Sequence, residues 1–501
     1  MKLKLNATRI AQYRTPLLAV PVTELDFGRP WLRALDRASS GRIKRTARAE
    51  RFEAKAGSAL SFTGCGELAA DRLLLLGMGD ERDAGPAYRL RTAAARAGNW
   101  ARDRGLRRLA VAVVPPDDAE LRQAVRWTAE GVRLGAHRYS RKTGDRAPRP
   151  APESCSLLLP SDGLRRKPSV SRALRDELAA AAAHCDGVEL ARELVATPAN
   201  ELSPIQLAER AKALASRHRL KARVFGRREI ERRGMHLLAA VGAGSRNEPR
   251  FIHLHYRPAG ERRGCLALVG KGVTFDSGGL SLKPPASQPD MKCDMAGAAA
   301  VLGVMEAAAA RGLPWELHGV VPACENMPGG GAYRPGDVVG SLAGKTVEIN
   351  NTDAEGRLIL ADALAFSRGL KSELTIDFAT LTGACAVALG PYTAGLFCND
   401  EAWAGRLAAA ARRAGEKIWR LPLERALRSQ LKSPVADLRN TGTRWGGAIS
   451  AALFLQEFTG EGPWAHLDVA GPAFLDKAHG FYPKGATGFG VLTVLELLDE
   501  G

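Results

Sequence analysis

The sequence predicts an α/β protein of two domains, each built on a mixed or mostly parallel sheet flanked by helices. The chain has 501 residues, more than one hydrophobic core usually supports, so two domains are expected. Short apolar runs typical of buried strands alternate with segments that have helical apolar spacing. No run of eighteen or more apolar residues occurs, so we expect no membrane-spanning segment.

The N-terminal part shows this alternation without any cluster of reactive side chains. Residues 73–79 and 109–114 are apolar runs that predict buried parallel strands. Residues 87–104 and 118–136 have apolar residues at helical spacing and predict the helices between them. We therefore expect residues 1–165 to form an α/β domain that carries no catalytic group.

A long helix is predicted to follow. Apolar residues recur on one helical face from Ser169 to Asn200, and Pro198 marks its end. We place a helical linker at 166–190 and a second domain at 191–501. Strands and helices alternate again through that domain, and ligands of such sheets gather at the carboxyl ends of the strands.

The most informative stretch is a turn in which Asp353, Glu355 and Arg357 alternate with small residues. Residues 346–349 before it alternate like a strand, and residues 358–370 after it have helical spacing. The N-terminus of a helix favours anions, so the two acids could bind a hard or borderline cation, and the arginine an anion beside it. Alone, such a turn is more often a solvated loop.

A second charged stretch lies about sixty residues upstream. A buried-type strand at 265–269 runs into a glycine-rich loop that carries Lys271 and Asp276, and Lys283 and Asp294 follow. The Gly-Lys pair lacks the Ser or Thr that follows the lysine in a phosphate-binding loop. The two stretches together therefore predict a charged site of another kind.

Six further motifs accompany these stretches. They are Glu325-Asn-Met-Pro, Ala332-Tyr-Arg-Pro-Gly-Asp, Thr380-Leu-Thr-Gly-Ala, Gly446-Gly-Ala-Ile-Ser-Ala-Ala, His466-Leu-Asp-Val-Ala-Gly-Pro and Gly485-Ala-Thr-Gly-Phe-Gly-Val. In order and spacing, roughly the last three hundred residues resemble the leucyl aminopeptidases, the dinuclear-metal cytosol aminopeptidases. The resemblance implies that the C-terminal domain is catalytic and releases N-terminal residues, leucine and other apolar ones preferred, from peptides.

The resemblance also implies a ligand set for two divalent ions, Mn²⁺ or Zn²⁺. Asp276 and Glu355 would bridge the ions, with Asp294 on one and Asp353 on the other. Lys271 would complete the shell of the first ion, which requires the neutral amine and a dication that depresses its pKa. The oxygen-rich set suits manganese or magnesium, and zinc stays open.

Two cations are assigned to catalysis by the same resemblance. Lys283 would stay protonated and hydrogen-bond the scissile carbonyl as negative charge develops on its oxygen. Arg357 would hold a bicarbonate that moves a proton from the attacking water. Plain charge balance is the alternative role, but two dications already neutralise four carboxylates.

Substrate contacts are likewise implied by the resemblance. The free amine of the peptide would bind a metal beside Asp294, which makes the enzyme an exopeptidase. An apolar pocket would be lined by Met291, Thr380, Gly383 and Ala451, with Leu381 offering backbone groups. Ordinary core packing is the alternative for Met291 and Ala451.

Charge is unevenly distributed along the chain. The formal net charge is +18, and residues 1–150 carry 30 Lys and Arg against 16 Asp and Glu. A basic domain suggests a polyanion such as DNA, and some bacterial relatives are DNA-binding architectural or regulatory proteins. Arginine-rich solvated faces are the alternative. A third hypothesis, a cysteinylglycine dipeptidase, uses the same site and differs only in substrate.

Cysteines and the N-terminus indicate the compartment. Eight cysteines are scattered without a Cys-x-x-Cys pair, and the start of the chain lacks the apolar region of a signal peptide. We expect reduced thiols and a cytoplasmic protein. His253 and His255 alternate as in a strand, which favours structural histidines. The family resemblance implies a homohexamer.

Overall fold

The structure is a computed structural model that describes residues 1–23, 28–63, 66–80, 84–116, 119–144, 147–160 and 170–500. Its residues cluster into two compact units, one built mainly from the chain up to Cys185 and the other mainly from Asp186 onward. Both units contain a sheet with helices, so the predicted α/β class with two domains is confirmed.

The sheet of the N-terminal unit is parallel except at one edge. Its described strands are β1 (Lys2–Thr8), β2 (Leu18–Val22), β3 (Ala59–Thr63), β4 (Arg72–Gly77), β5 (Arg108–Ala112) and β6 (Ser154–Pro160). They lie in the order β1-β6-β5-β2-β4-β3, and the β3–β4 pair is antiparallel. The helices are α1 (Pro30–Ala38), α2 (Arg42–Ala49), α3 (Pro86–Asp103) and α4 (Leu121–Ala136).

Both faces of this sheet are buried, which explains its continuous apolar runs. In β4, Leu74 and Leu76 join one core with α3 and α4, while Leu73 and Leu75 join a second core with α1 and α2. Successive strand residues point to opposite faces, so a strand covered on both sides needs apolar residues at every position. The predicted strands and helices of this unit are found within a few residues, although position 118 lies outside the described residues.

Helices α3 and α4 approach each other closely enough to require glycine. A Cβ added at Gly98 would lie 2.1 Å from the carbonyl oxygen of Val132, and one at Gly135 would lie 2.1 Å from that of Ala95. A buried ion pair between Arg91 Nε and Glu130 Oε2, at 2.6 Å, also joins the two helices. Some of the arginine surplus is therefore used inside the unit.

Helix α5 (Arg172–Ala196) follows and ends two residues before Pro198. The expected helix from 169 to 200 begins partly outside the described residues, as does the linker placed at 166–190, because residues 161–169 are not described. The boundaries 1–165, 166–190 and 191–501 stay a prediction.

The C-terminal unit has a larger mixed sheet. Its strands are β7 (Lys221–Phe225), β8 (Arg250–Tyr256), β9 (Cys265–Gly270), β10 (Gly272–Asp276), β11 (Glu316–Asn326), β12 (Val338–Gly340), β13 (Thr346–Glu348), β14 (Leu374–Ala379), β15 (Thr393–Cys398), β16 (Lys417–Arg420), β17 (Leu438–Arg439), β18 (Trp464–Asp468), β19 (Phe474–Leu475) and β20 (Gly485–Ala486). The main sheet runs β16-β15-β18-β14-β9-β11-β8-β7, and β10 pairs with β11.

Helices cover this sheet and frame its charged edge. They are α6 (Pro204–His218), α7 (Arg227–Arg232), α8 (His236–Val241), α9 (Ala296–Arg311), α10 (Glu355–Ser367), α11 (Gly383–Leu389), α12 (Glu401–Ala414), α13 (Gly447–Gln456) and α14 (Val491–Asp499). The central strands β18, β14, β9 and β11 are parallel, whereas β8 runs antiparallel to β11. Apolar residues of α10 and α13 share one core with the sheet.

Two further observations concern membrane-spanning helices and the state of the cysteines. Across the described ranges, no helix combines the length and apolar character needed to cross a bilayer. Seven of the cysteines are described and all seven are free thiols. Position 65, the eighth, lies outside the described residues.

Candidate active site

The two charged stretches of the sequence meet at one edge of the C-terminal sheet. Strand β10 ends at Asp276 and β11 ends at Asn326, and these two residues are partners in the parallel pair. Helix α10 begins at Glu355, directly after a turn. Neighbouring parallel strands end at the same edge of a sheet, so the loops that follow them converge.

Three carboxylates share this space. Oxygens of Asp276, Asp353 and Glu355 all lie within 4.8 Å of one another. Asp276 and Glu355 are buried, whereas 32% of the Asp353 side chain is exposed. Burial raises the pKa of Glu355, and the neighbouring Asp276 raises it further. Without a bound cation, burial and the neighbouring negative charge therefore favour the protonated form of Glu355.

Lys271 lies at the centre of the cluster and is 3% exposed. Its Nζ is 2.8 Å from Asp294 Oδ1 and 2.8 Å from Glu355 Oε1, and it donates to the backbone oxygen of Thr380 at 2.9 Å. Burial alone would lower the pKa of Lys271, but the surrounding carboxylates outweigh burial and raise that pKa. The ammonium form is thus favoured, and a ligand role requires a bound dication to reverse this shift.

Lys283 is the second cation of the cluster. Its Nζ lies 2.9 Å from Asp276 Oδ2 and also forms an ion pair with Asp353. Burial opposes the charged form, but Asp276 and Asp353 together raise the pKa of Lys283. Lys283 is therefore held protonated beside the most exposed carboxylate of the site.

Asp294 offers an oxygen that the described protein leaves unused. Its Oδ1 accepts from Lys271 and from the hydroxyl of Thr380, the latter at 2.7 Å. Its Oδ2 is buried and has no hydrogen-bond partner among the described residues. Burial raises the pKa of Asp294 well above its ordinary value. A buried carboxylate oxygen without a donor is a position at which a cation relieves the desolvation cost.

Arg357 is buried on the first turn of α10. Its Nη1 donates to the backbone oxygen of Asn440 at 2.9 Å, and its Nε has no partner among the described residues. Burial lowers the pKa of Arg357 to about 10, although Glu355 and Asp468 oppose that shift. The guanidinium is held by one contact and retains donors for an anion.

A set of buried polar residues that the sequence analysis did not assign holds the carboxylates in place. Asn326 donates from Nδ2 to Asp276 Oδ1 at 2.8 Å and to the backbone oxygen of Thr352 at 2.9 Å. Tyr333 donates to that same oxygen at 2.7 Å. Asn326 and Tyr333 both lie in motifs on which the family resemblance depends. The sequence therefore marked these two residues, but it did not indicate that they hold the carboxylates.

Four carboxylates thus surround two lysines in a mostly buried cluster. The excess negative charge and the oxygen donors suit divalent cations, which prefer carboxylate ligands. All five residues predicted as metal ligands lie in this cluster together with Lys283. None of the six side chains of this cluster is a histidine or a cysteine.

Comparison with known proteins identifies the family. The model of the catalytic domain of the cytosol aminopeptidase family matches residues 189–495, and that of the family's N-terminal domain matches residues 19–144. The chain belongs to the cytosol aminopeptidase family. The resemblance predicted from the sequence is confirmed, and family membership supports an aminopeptidase, which is a hydrolase.

Similar proteins cover the whole chain. A probable cytosol aminopeptidase from a Geobacter species is 43% identical over 499 residues, which is 99% of both chains. A solved tomato leucine aminopeptidase mutant is 37% identical with a TM-score of 0.89, covering 100% of this chain and 97% of its own. The bottromycin maturation enzyme BotP in complex with Mn is 37% identical, with a TM-score of 0.83. The match covers 96% of this chain and 98% of the BotP chain.

The residues expected to line a pocket in this cytosol aminopeptidase occupy different environments. Ala451 is fully buried on α13, whereas Gly383 is exposed at the start of α11. Met291 is partly exposed in a short 3-10 helix. Thr380 contacts both Lys271 and Asp294 and so supports the charged cluster directly. The backbone N–H of Leu381 donates to an oxygen of Asp468 at 3.2 Å.

Gly356 allows the Lys271 side chain to cross the start of α10. A Cβ at this position would lie 2.5 Å from Lys271 Cε and 2.7 Å from Nζ. We expect Gly356→Ala to displace the lysine and to lower kcat/KM for leucine p-nitroanilide by about 100-fold, because small displacements in an active site have large effects. Overpacking should also cost about 1–3 kcal/mol of stability, measured by thermal unfolding.

The matched control is Gly369→Ala, just after α10, where an added Cβ meets nothing within 4 Å. Its activity and melting temperature should stay close to those of the unchanged protein. Equal activity of the two variants would show that the position of Lys271 does not matter to the reaction.

Proposed function

We propose that this family member is a metal-dependent aminopeptidase that releases N-terminal residues, leucine and other apolar ones favoured, from peptides. The observation that carries the proposal is the buried cluster of four carboxylates around two lysines, in which one oxygen of Asp294 has no donor within the described part of the chain. Such a cluster is costly unless cations bind to it, and the solved BotP structure shows a relative in complex with Mn.

The residues present fit two divalent ions. Asp276 and Glu355, whose oxygens lie within 4.8 Å of each other, would hold both ions. Asp294 and Asp353 would then each serve one ion, and Lys271 would join the first as a neutral amine. Carboxylate oxygens favour Mn²⁺ over softer metals, while Zn²⁺ also accepts this ligand set.

When bound, such ions supply an activated water and polarise the scissile carbonyl. Lys283, held charged between Asp276 and Asp353, donates a hydrogen bond to the carbonyl oxygen as negative charge develops there. Arg357 would hold a bicarbonate with its remaining N–H groups, which would place beside the attacking water an anion able to accept and return a proton. The described cluster contains no histidine to perform this transfer.

Substrate selection would arise at the rim of the cluster. The free amine of the peptide lies beside Asp294, so a chain without a free N-terminus is not placed for cleavage. The first side chain enters an apolar pocket that we assign to Met291, Thr380, Gly383 and Ala451, and Leu381 offers backbone groups to the substrate. Because a pocket of this kind discriminates by contact area, leucine should be preferred over alanine.

The test is metal removal and replacement. We expect prolonged chelation to reduce hydrolysis of leucine p-nitroanilide by more than 100-fold, with recovery after Mn²⁺, Zn²⁺ or Co²⁺ is returned and none after Ca²⁺, which prefers more and longer oxygen contacts. Circular dichroism before and after chelation checks that the fold persists. Full activity in a preparation shown by elemental analysis to be metal-free would refute the proposal.

Two alternative functions remain, a cysteinylglycine dipeptidase and a DNA-binding protein. A cysteinylglycine dipeptidase would use the same residues, so the ratio of kcat/KM for Cys-Gly and Leu-Gly decides between the two substrates. DNA binding through residues 1–150 receives less support, because Arg89, Arg91 and Arg102 are buried and not available to phosphates. On family resemblance we also propose a cytoplasmic homohexamer.

A further inference from the structure

A second group of metal-ligating side chains lies far from the active site, on strands β8 and β11. It consists of His253, His255, His318 and Glu316, which we call the histidine cluster. His318 is near the start of β11, whereas Asn326, at its end, borders the carboxylates. Eight residues of extended strand separate them, a distance of roughly 25 Å. Alternation along β8 had favoured structural histidines, but it did not show that a third histidine and a glutamate join them.

The strand register brings these side chains together. His255 and His318 are direct partners in the antiparallel β8–β11 pair, and their rings stack with centroids 4.3 Å apart. One donor atom from each of His255, His318 and Glu316 lies within 4.8 Å of the other two. His255 Nε2 is 2.7 Å from Glu316 Oε1, and an ion between them would also reach His318 once one of the two stacked rings, whose planes are 17° apart, rotates toward it.

Contacts around these residues resemble the outer shell of a metal site. His253 Nε2 lies 3.1 Å from His318 Nδ1, and Arg262 forms an ion pair with the second oxygen of Glu316. Metal-binding histidines usually have their other ring nitrogen hydrogen-bonded, and metal-binding carboxylates are held in the same way. His253 thus orients His318 and leaves its Nε2 available to a metal, and Arg262 orients Glu316 and leaves its Oε1 available.

The charge of the surroundings is mixed. Burial is the main cause that lowers the pKa of His253 and of His318 to about 4, so both imidazoles are neutral near pH 7 and retain lone pairs. Lys221, Arg223 and Arg257 near His255, together with Arg262, oppose a cation, and Glu316 favours one. These opposing charges predict moderate rather than tight affinity.

We propose that His255, His318 and Glu316 bind a divalent transition-metal ion of the zinc class, separate from the catalytic ions, with His253 positioning His318. Two imidazole nitrogens and one carboxylate oxygen form a ligand set that Zn²⁺ uses when it keeps an open fourth position. The ion would take the place of the proton between His255 Nε2 and Glu316 Oε1, and that proton would move to Nδ1 of the neutral His255 ring. Because the ligands come from two strands, the ion ties β8 to β11.

The probe is Zn²⁺ alone, added to the full chain in the Glu355→Gln background, in which we expect the catalytic ions to be lost. After equilibrium dialysis against Zn²⁺, elemental analysis should find one zinc per chain in excess of the zinc in the surrounding buffer. That zinc should disappear in Glu355→Gln variants that also carry His255→Ala or His318→Ala. His236→Ala, which removes an exposed histidine outside the cluster, should leave it in place.

A stability measurement provides a second readout. An ion that binds only the folded state raises the melting temperature, so zinc should raise that of Glu355→Gln and not that of Glu355→Gln with His318→Ala. If an alanine variant fails to fold, Glu316→Gln keeps the side-chain volume and should also lose the zinc. In the otherwise unchanged chain loaded with Mn²⁺, His255→Ala should retain peptidase activity.

A gain of affinity gives the sharpest distinction. Arg262→Gln removes a cation from Glu316 without removing any ligand, so it should lower the zinc concentration needed for half-saturation several-fold. Equal zinc content in folded His255→Ala, His318→Ala and His236→Ala chains would overturn the proposal. Failure of the Glu355→Gln background to lose its catalytic ions would instead count against the proposed function, because it concerns the other site.

Discussion

Replacing Glu355 by glutamine is expected to abolish metal retention and to lower peptidase activity by at least 1,000-fold. Glu355 is the first residue of α10, and its carboxylate is within 4.8 Å of those of Asp276 and Asp353. An ionised carboxylate binds divalent cations much more strongly than a neutral amide does. The amide has the same shape but carries no charge. Elemental analysis after gel filtration and hydrolysis of leucine p-nitroanilide measure the two effects.

Stability provides a contrasting expectation for the same variant. The pKa of Glu355 is raised by burial and by Asp276, so the charged carboxylate destabilises the metal-free fold at neutral pH. Stability from a carboxyl group with a raised pKa is present below its ordinary pKa and is lost as the pH rises through the folded-state value. The metal-free variant should therefore melt at the same or a higher temperature than the metal-free parent at pH 7.

The control is Glu401→Gln, which changes a surface carboxylate with a side chain 84% exposed. Its metal content and activity should not change. If Glu355→Gln keeps its metals and loses only activity, Glu355 does not bridge the ions and acts on the substrate instead. If the metal-free variant melts well below its parent, the ion pair between Glu355 and Lys271 matters more to the fold than the repulsion does.

Lys283→Met is expected to lower kcat by about 10²–10³-fold, the usual effect of removing one donor from an oxyanion site, while metal content stays the same or rises. Lys283 Nζ contacts Asp276 and Asp353, so it competes with cations for their oxygens. Methionine keeps most of the side-chain length and removes the charge. Parallel measurement of kcat, KM and bound metal separates a catalytic effect from a loss of ions.

Lys292→Met is the matched control. Lys292 lies nine residues after Lys283, and its Nζ is 5.9 Å from the centre of the Phe474 ring. Among the described residues it forms no ion pair with a carboxylate of the cluster. Its turnover should be close to that of the unchanged protein. Joint loss of metal and activity in Lys283→Met would mean that this lysine holds the carboxylates in position and does not act on the substrate.

Motifs in the chain identified the components of the charged cluster, and the structure brings them together. Asp276, Asp294, Asp353 and Glu355 are separated by up to about eighty residues. Asp276 ends β10, Asp294 and Asp353 lie in turns that precede α9 and α10, and Glu355 begins α10. That convergence was predictable because parallel strands end at a common edge. The supporting contacts of Asn326 and Tyr333 were not predictable, since a motif gives the identity of a residue and not its hydrogen-bond partner.

Residue pattern predicted the α/β class and a charged site, because strand burial and short charged motifs are local properties of a chain. Resemblance of those motifs to a family predicted which carboxylates and lysines form the site. Contacts between residues that are distant along the chain were visible only in the tertiary structure. Thr380 proved to hold Lys271 and Asp294, and His318 proved to face His255, sixty-three positions earlier in the chain. Pairing across a sheet depends on register and connection, which are set by packing of the whole unit and leave no local signature.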